Sequence, residues 1–166
     1  MQKQIKSKKR VKEQAEVFTA EREVKAMCDL IPSDVWENIE STFLEPSCGT
    51  GNFLVEIFAR KLERCKDVKD GLKALNSLFA IDIMSDNVCE SRQRLKNMLF
   101  EKFPEGNDFT KRFADEILEH HIVCGNALTG LDIEGNKIKF LPDDLYTSLS
   151  KKERESLEKY YGKVRK

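Results

Sequence analysis

The 166-residue chain is 40% apolar and 35% charged, with 29 basic against 29 acidic side chains: one rather polar core, and no general attraction to nucleic acid. Its apolar runs are too short to span a bilayer, and its lysine-rich start lacks the apolar stretch of a signal peptide. Five scattered cysteines without Cys-x-x-Cys spacing argue against a disulfide framework or a zinc site and imply reduced thiols in a cytoplasm.

Residues 1–12 carry Lys3, Lys6, Lys8, Lys9, Arg10 and Lys12 without an acid. This lead-in, residues 1–15, reads as a solvated arm, with phosphate contact as the sharper alternative. Glu21 to Ile31 sets Val24, Met27, Cys28 and Ile31 at helical spacing, and Pro32 ends the run. Ser33 is a cap candidate for a short helix carrying Val35, Trp36 and Ile39, with Trp36 in the core. Thr42 to Glu45 is strand one. Its helix runs from Asn52 to about Arg64, with Phe53, Leu54, Ile57 and Phe58 inward. Lys66 to Asn76 reads as a charged loop with a short helix. Strand two lies near Leu78 to Asp82, and a helix from about Asp86 to Phe100 follows, with Val88, Leu95 and Leu99 inside.

Phe103 to Asp108 is a loop, Phe113 to Leu118 is helical, and His121 to Cys124 is strand three. His120 and His121 are adjacent, so on a strand they point to opposite sides; they suit neither a shared metal nor a catalytic pair. Leu131 to Phe140 alternates around Glu134-Gly135-Asn136, a hairpin pattern, and Ser148 to Lys163 reads as an exposed charged helix capped by Ser150. The expected division is a core over 16–130 and a hairpin with terminal helix over 131–166. Alternating strands and helices imply a parallel sheet with helices on both faces and a ligand at the carboxyl ends of the strands.

The segment Phe43-Leu44-Glu45-Pro46-Ser47-Cys48-Gly49-Thr50-Gly51-Asn52-Phe53-Leu54 is the most specific in the chain. A strand ends in a carboxylate, a two-glycine turn follows, and a helix begins, so backbone can approach a ligand at a helix N-terminus. A dinucleotide fingerprint needs Gly or Ala where Leu54 stands, and no Gly-Lys-Ser/Thr is present. Glu45 would repel pyrophosphate. A cofactor with a cationic amine and sulfonium, S-adenosylmethionine, fits on charge; a turn that merely joins strand to helix is the bland alternative. Cys48 is expected to be a small packing residue. Asp82, at the end of strand two, is placed to hold a ribose diol or to cap the following helix. Asn126, in Ile122-Val123-Cys124-Gly125-Asn126-Ala127-Leu128, could accept from an adenine amino group or simply close a turn.

The order Glu16 to Thr19 (Glu-Val-Phe-Thr), Leu44 to Leu54, Ala80 to Ile83 (Ala-Ile-Asp-Ile) and Gly125 to Leu128 (Gly-Asn-Ala-Leu) resembles the cofactor half of S-adenosylmethionine-dependent DNA adenine methyltransferases of restriction–modification systems. The resemblance covers about residues 10–130. It implies an α/β, Rossmann-like methyltransferase fold, a parallel sheet flanked by helices, incomplete here at three strands and a hairpin. It implies that Phe18 and Thr19 close over the methionine part of the cofactor. Glu45, Ser47, Cys48, Gly49, Gly51, Asn52 and Phe53 would wrap that part, Asp82 and Ile83 would hold the ribose, and Asn126, Ala127 and Leu128 the adenine.

Three departures qualify what the resemblance implies. Ala20 stands where the family has Pro, and Asn126 where it has Asp. The catalytic tetrapeptide Asn/Asp/Ser-Pro-Pro-Tyr/Phe/Trp occurs nowhere; Leu141 to Tyr146 is the nearest stretch, and no catalytic residue is assigned. Strand one, central in the family, is left open. The hairpin, a second copy, or a separate polypeptide carrying the catalytic motif and target recognition could complete it, and DNA would be reached through that complex. A catalytically inactive scaffold of a restriction–modification complex, and a methyltransferase acting on RNA, protein or a small molecule, are the alternatives.

Overall fold

The computed structural model describes residues 7–14 and 17–140. Glu16, the stretch from Leu141 to Tyr146 and the Ser148 to Lys163 helix lie outside the described residues. The elements run α1 (Lys8–Gln14), α2 (Glu21–Cys28), α3 (Ser33–Glu37), β1 (Phe43–Glu45), α4 (Asn52–Leu62), α5 (Val68–Asn76), β2 (Leu78–Asp82), α6 (Ser85–Lys102), α7 (Asp108–His121), β3 (Ile122–Asn126) and β4 (Leu131–Asp132). No described helix is long and apolar enough to cross a membrane.

The sheet order is β1-β2-β3-β4. β1, β2 and β3 are parallel, with Leu44 opposite Phe79 and Ile81 opposite Val123. Side chains alternate across a strand. Phe43, Leu78, Ala80 and Ile122 therefore share one face, and they join the core with Leu54, Phe58, Leu72, Leu75, Leu95, Leu99 and Ile117. α4, α5, α6 and α7 contact one another in a single layer over that face. Among the described residues the helices cover this face alone, as expected where right-handed crossovers from β1 to β2 and from β2 to β3 step in one direction across the sheet. Leu44, Phe79, Ile81 and Val123 share the opposite face. There His121 stacks on Phe79 at 4.2 Å between ring centroids, and Phe140 meets Phe79 edge-on at 5.3 Å.

Several elements differ from their sequence readings. The short helix expected within Lys66 to Asn76 takes up most of it, as α5, capped by Asp67 onto Lys69 N and Asp70 N, with Leu72, Ala74 and Leu75 buried. Ser33 is already helical and makes no cap; Pro32 holds the cap position without a side-chain bond. Met27 is exposed, because α2 ends at Cys28 and turns only Val24 and Cys28 inward. His120 and His121 close α7 rather than opening a strand. Trp36 is buried and stacks on Phe43 at 5.3 Å.

The hairpin turn forms at the expected place. Asp132 Oδ1 accepts from Glu134 N and Asn136 N, and Gly135 takes φ +85°. Its strand, β4, pairs antiparallel with β3, at the edge opposite β1. The hairpin therefore does not cover strand one, and among the described residues β1 has β2 as its sole strand partner. Phe43 N–H donates to Ser77 O at 3.0 Å, so Phe43 and Glu45 turn their backbone groups toward β2 and Leu44 turns its own outward. The Leu44 side chain is 59% exposed.

Candidate functional site

β1 ends in Glu45, and the chain turns through Pro46 to Gly51 into α4. Gly49 and Gly51 have φ of +51° and +86°, the left-handed region that glycine enters at no steric cost. Both positions are also crowded. A Cβ on Gly49 would stand 3.0 Å from Phe18 Cε1, and one on Gly51 would stand 2.5 Å from Ser91 Oγ. The turn is thus packed between the Phe18 ring and α6.

Asp82 holds this turn. Its Oδ2 accepts from Gly49 N at 2.8 Å; its Oδ1 accepts from Met84 N at 2.8 Å and Asn87 Nδ2 at 3.2 Å. Asp82 is not the cap residue of α6, which is Met84 without a side-chain cap bond; it braces the chain just before α6 through Met84 N and faces the turn. A carboxylate offers about four acceptor positions, so about one is left for a ligand hydroxyl. Glu45 Oε1 accepts from Ser47 N at 3.1 Å. Burial raises the Glu45 carboxyl above its usual range, the Ser47 N–H opposes this, and the nearby Asp82 charge adds to it. Burial, with Asp82 and Glu45 beside it, pushes the Cys48 thiol up to about 12, so Cys48 is an inert packing residue.

These groups line one cavity of about 300 Å³, together with Val17, Phe18, Thr19, Asn52, Phe53, Ile83, Met84 and Asn87. Among the described residues, no lysine or arginine lines it. Ten of the fourteen expected residues meet here: Phe18, Thr19, Glu45, Ser47, Cys48, Gly49, Asn52, Phe53, Asp82 and Ile83. Gly51 lies behind the turn against α6. Asn126 lines a neighbouring open groove of about 350 Å³, which shares Ile83 with the first. Its side-chain oxygen accepts from Leu128 N at 2.9 Å, so that oxygen closes the turn and the amide NH2 is what remains for a ligand. Ala127 and Leu128 lie outside both cavities, and Leu128 is 97% exposed.

Sequence reasoning missed part of α6. Asn87, Ser91 and Arg94 follow one another at helical spacing and face the turn: Asn87 on Asp82, Ser91 against Gly51, and Arg94 on Thr50 O at 2.6 Å and Asn52 Oδ1 at 2.9 Å. Their interleaving with Val88 and Leu95 was the available signal. The lead-in is likewise no free arm at Arg10, whose guanidinium donates to both Asp86 oxygens, at 2.6 and 3.1 Å, and to Asn87 Oδ1 at 3.3 Å.

No family model and no solved structure matches the chain. It is similar to the type II methyltransferase M.VspI of Vibrio sp. (strain 343), 31% identical over 138 residues. That match takes in 81% of this chain and 30% of the relative, so the chain spans under a third of the longer protein. The mostly parallel, helix-flanked sheet is compatible with a Rossmann-like fold. Together with the similarity, it supports a methyltransferase-like function.

Proposed function

We propose that this chain is the S-adenosylmethionine-binding part of a DNA adenine-N6 methyltransferase of restriction–modification type, split or truncated. One observation carries the reading. Glu45 and Asp82 bring two carboxylates into one cavity, across a backbone turn open to close approach, with no cationic side chain among the described residues that line it. Phosphate is repelled there, and a sulfonium with an ammonium group is attracted. The donor set fits the cofactor: Asp82 keeps an acceptor for a ribose hydroxyl, and the first-turn N–H groups of α4 have no intrahelical acceptors and suit a carboxylate. The sulfonium, when bound, supplies an activated methyl group; the residues of this chain bind and orient it.

Adenine in a duplex must be flipped out before its amino group can be reached. The grip on that amino group belongs to the tetrapeptide this sequence lacks, so we assign it to a second polypeptide that pairs with the open edge of β1. Calorimetric titration with S-adenosylmethionine tests the cofactor reading. Saturable one-site binding, lost in Asp82→Ala, is expected; its absence in the folded wild type would turn the reading toward a scaffold without cofactor. Leu44→Asp tests the edge: it is expected to abolish association with the catalytic partner and leave cofactor binding intact.

A further inference from the structure

We infer that Arg94 is a positioning residue for the amino-acid end of the cofactor, acting through the Asn52 amide; the inference rests on the cofactor reading above. Arg94 is absent from the cavity lining, whereas Asn52, Phe18 and Thr19 are in it. The guanidinium lies half-buried behind the glycine turn and donates to Thr50 O and Asn52 Oδ1, both neutral acceptors. With its oxygen engaged by Arg94, the Asn52 amide turns its NH2 outward and donates to Thr19 O at 2.9 Å. Three separate segments are joined in this way: α6, the start of α4, and the Phe18–Thr19 stretch, which is part of no helix or strand. The Phe18 ring is then seated on Gly49.

The assignment to the amino-acid end follows from chemistry. Asp82, an acceptor, suits the hydroxyls of the sugar. The free N–H groups at the start of α4 suit a carboxylate, and Asn52 and Thr19 stand at that same end. The Arg94 charge, placed behind these donors, adds to their attraction for an anion without touching it. Removing Arg94 frees the amide to rotate, releases Thr19, and lowers that attraction. The adenosine end keeps its contacts.

Two ligands separate this role from a merely structural one. S-adenosylmethionine carries the amino acid; 5′-methylthioadenosine carries the same adenosine without it. Arg94→Met is expected to weaken S-adenosylmethionine at least tenfold and to leave 5′-methylthioadenosine within twofold. Arg94→Lys, which keeps the charge with fewer donors, is expected to recover part of the loss. Without any ligand, hydrogen exchange at residues 17–20 should quicken in Arg94→Met while residues 78–82 stay protected. Equal weakening of both ligands, or of neither, overturns the inference. If Arg94→Met does not fold, the Arg94→Lys ratio decides by the same criterion. A folded wild type that binds neither ligand sinks the cofactor reading itself, a pattern distinct from the loss of selectivity in the variant.

Discussion

Replacing Asp82 by Asn should destabilise the ligand-free protein by about 3 kcal/mol, before any cofactor is considered. The carboxylate accepts from Gly49 N on one oxygen, and from Met84 N and Asn87 Nδ2 on the other. An amide at this position has one acceptor and one donor side. If its oxygen stays with Met84 and Asn87, its NH2 meets the Gly49 N–H and that bond is lost, at roughly 1.5–3 kcal/mol for a bond to a charged acceptor. The two surviving bonds fall from charge-assisted to neutral, together roughly 1 kcal/mol more. Relief of repulsion with Glu45 returns less than about 1 kcal/mol at an effective dielectric of about 20 or more.

Equilibrium unfolding in urea checks this. At a slope of roughly 2 kcal/mol per molar, the midpoint should fall by about 1.5 M. A shift under about 0.3 M would refute the reasoning, since the turn would then be held by something other than Asp82. The prediction also bears on the ligand titration. A loss of binding in an Asp82 variant reports a ribose contact only where the variant is shown to be folded under the titration conditions.

Three further outcomes follow from the same geometry. Burial pulls His121 down to about 4, below the value near 6.5 of an unfolded chain, so the unfolded state takes up the proton first. Its stabilisation is therefore full above about pH 6.5 and is lost as pH falls toward 4, by at most about 3 kcal/mol; His121→Phe should flatten this part of the pH–stability curve, as read by thermal unfolding. Iodoacetamide at pH 8 should label exposed Cys89 well before Cys48, whose thiol is buried and titrates near 12; peptide mass spectrometry gives the order. Gly51→Ala should cost about 2–3 kcal/mol in urea unfolding, from φ of +86° together with the 2.5 Å approach to Ser91 Oγ.

The parts of this fold that were legible in the sequence are those governed by local chemistry. Apolar runs ending in Glu45 and Asp82 marked two strands and the acidic ends that meet in the cavity. The glycines marked the turn, because only a left-handed backbone could lead from β1 into α4. At Lys66 to Asn76 the short helix was legible but not its extent, because Lys69, Asp70 and Lys73 fill the outer face of a helix whose inner face, Leu72 and Leu75, is wholly buried. Asn126 was read as either a ligand acceptor or a turn closure, and its oxygen takes the second role because a short amide readily finds its own backbone two residues on. The inward row Asn87, Ser91 and Arg94 escaped notice because polar residues on a charged helix read as solvated until a partner element is known. Pairing is the least local property of all. The pattern at Leu131 to Asp132 announced a strand but not that it would lie against β3.

In the proposed function, the position of the cavity ties cofactor binding to the β1 edge that is unpaired among the described residues. In open α/β sheets the ligand crevice forms where strand order reverses, because the two neighbouring connections leave on opposite faces and part above the strand ends. Here the order β1-β2-β3-β4 contains no reversal among the described residues, and the helices lie in one layer. The cavity nevertheless sits at the end of β1, walled on one side by β2 and by the Phe18–Thr19 stretch. A strand added beyond Leu44, with its connection crossing the opposite face, would create the reversal at that point and close the remaining wall. The same event would cover the outward N–H and C=O of Leu44 and its exposed side chain. Under the proposed function, partner docking and cofactor binding would then stabilise one another by reciprocal linkage. The partner should raise the affinity for S-adenosylmethionine by the same factor that S-adenosylmethionine raises the affinity for the partner. Two titrations in opposite order measure those factors. A factor of one in both titrations would mean that the edge and the cavity are not coupled, and would refute the argument.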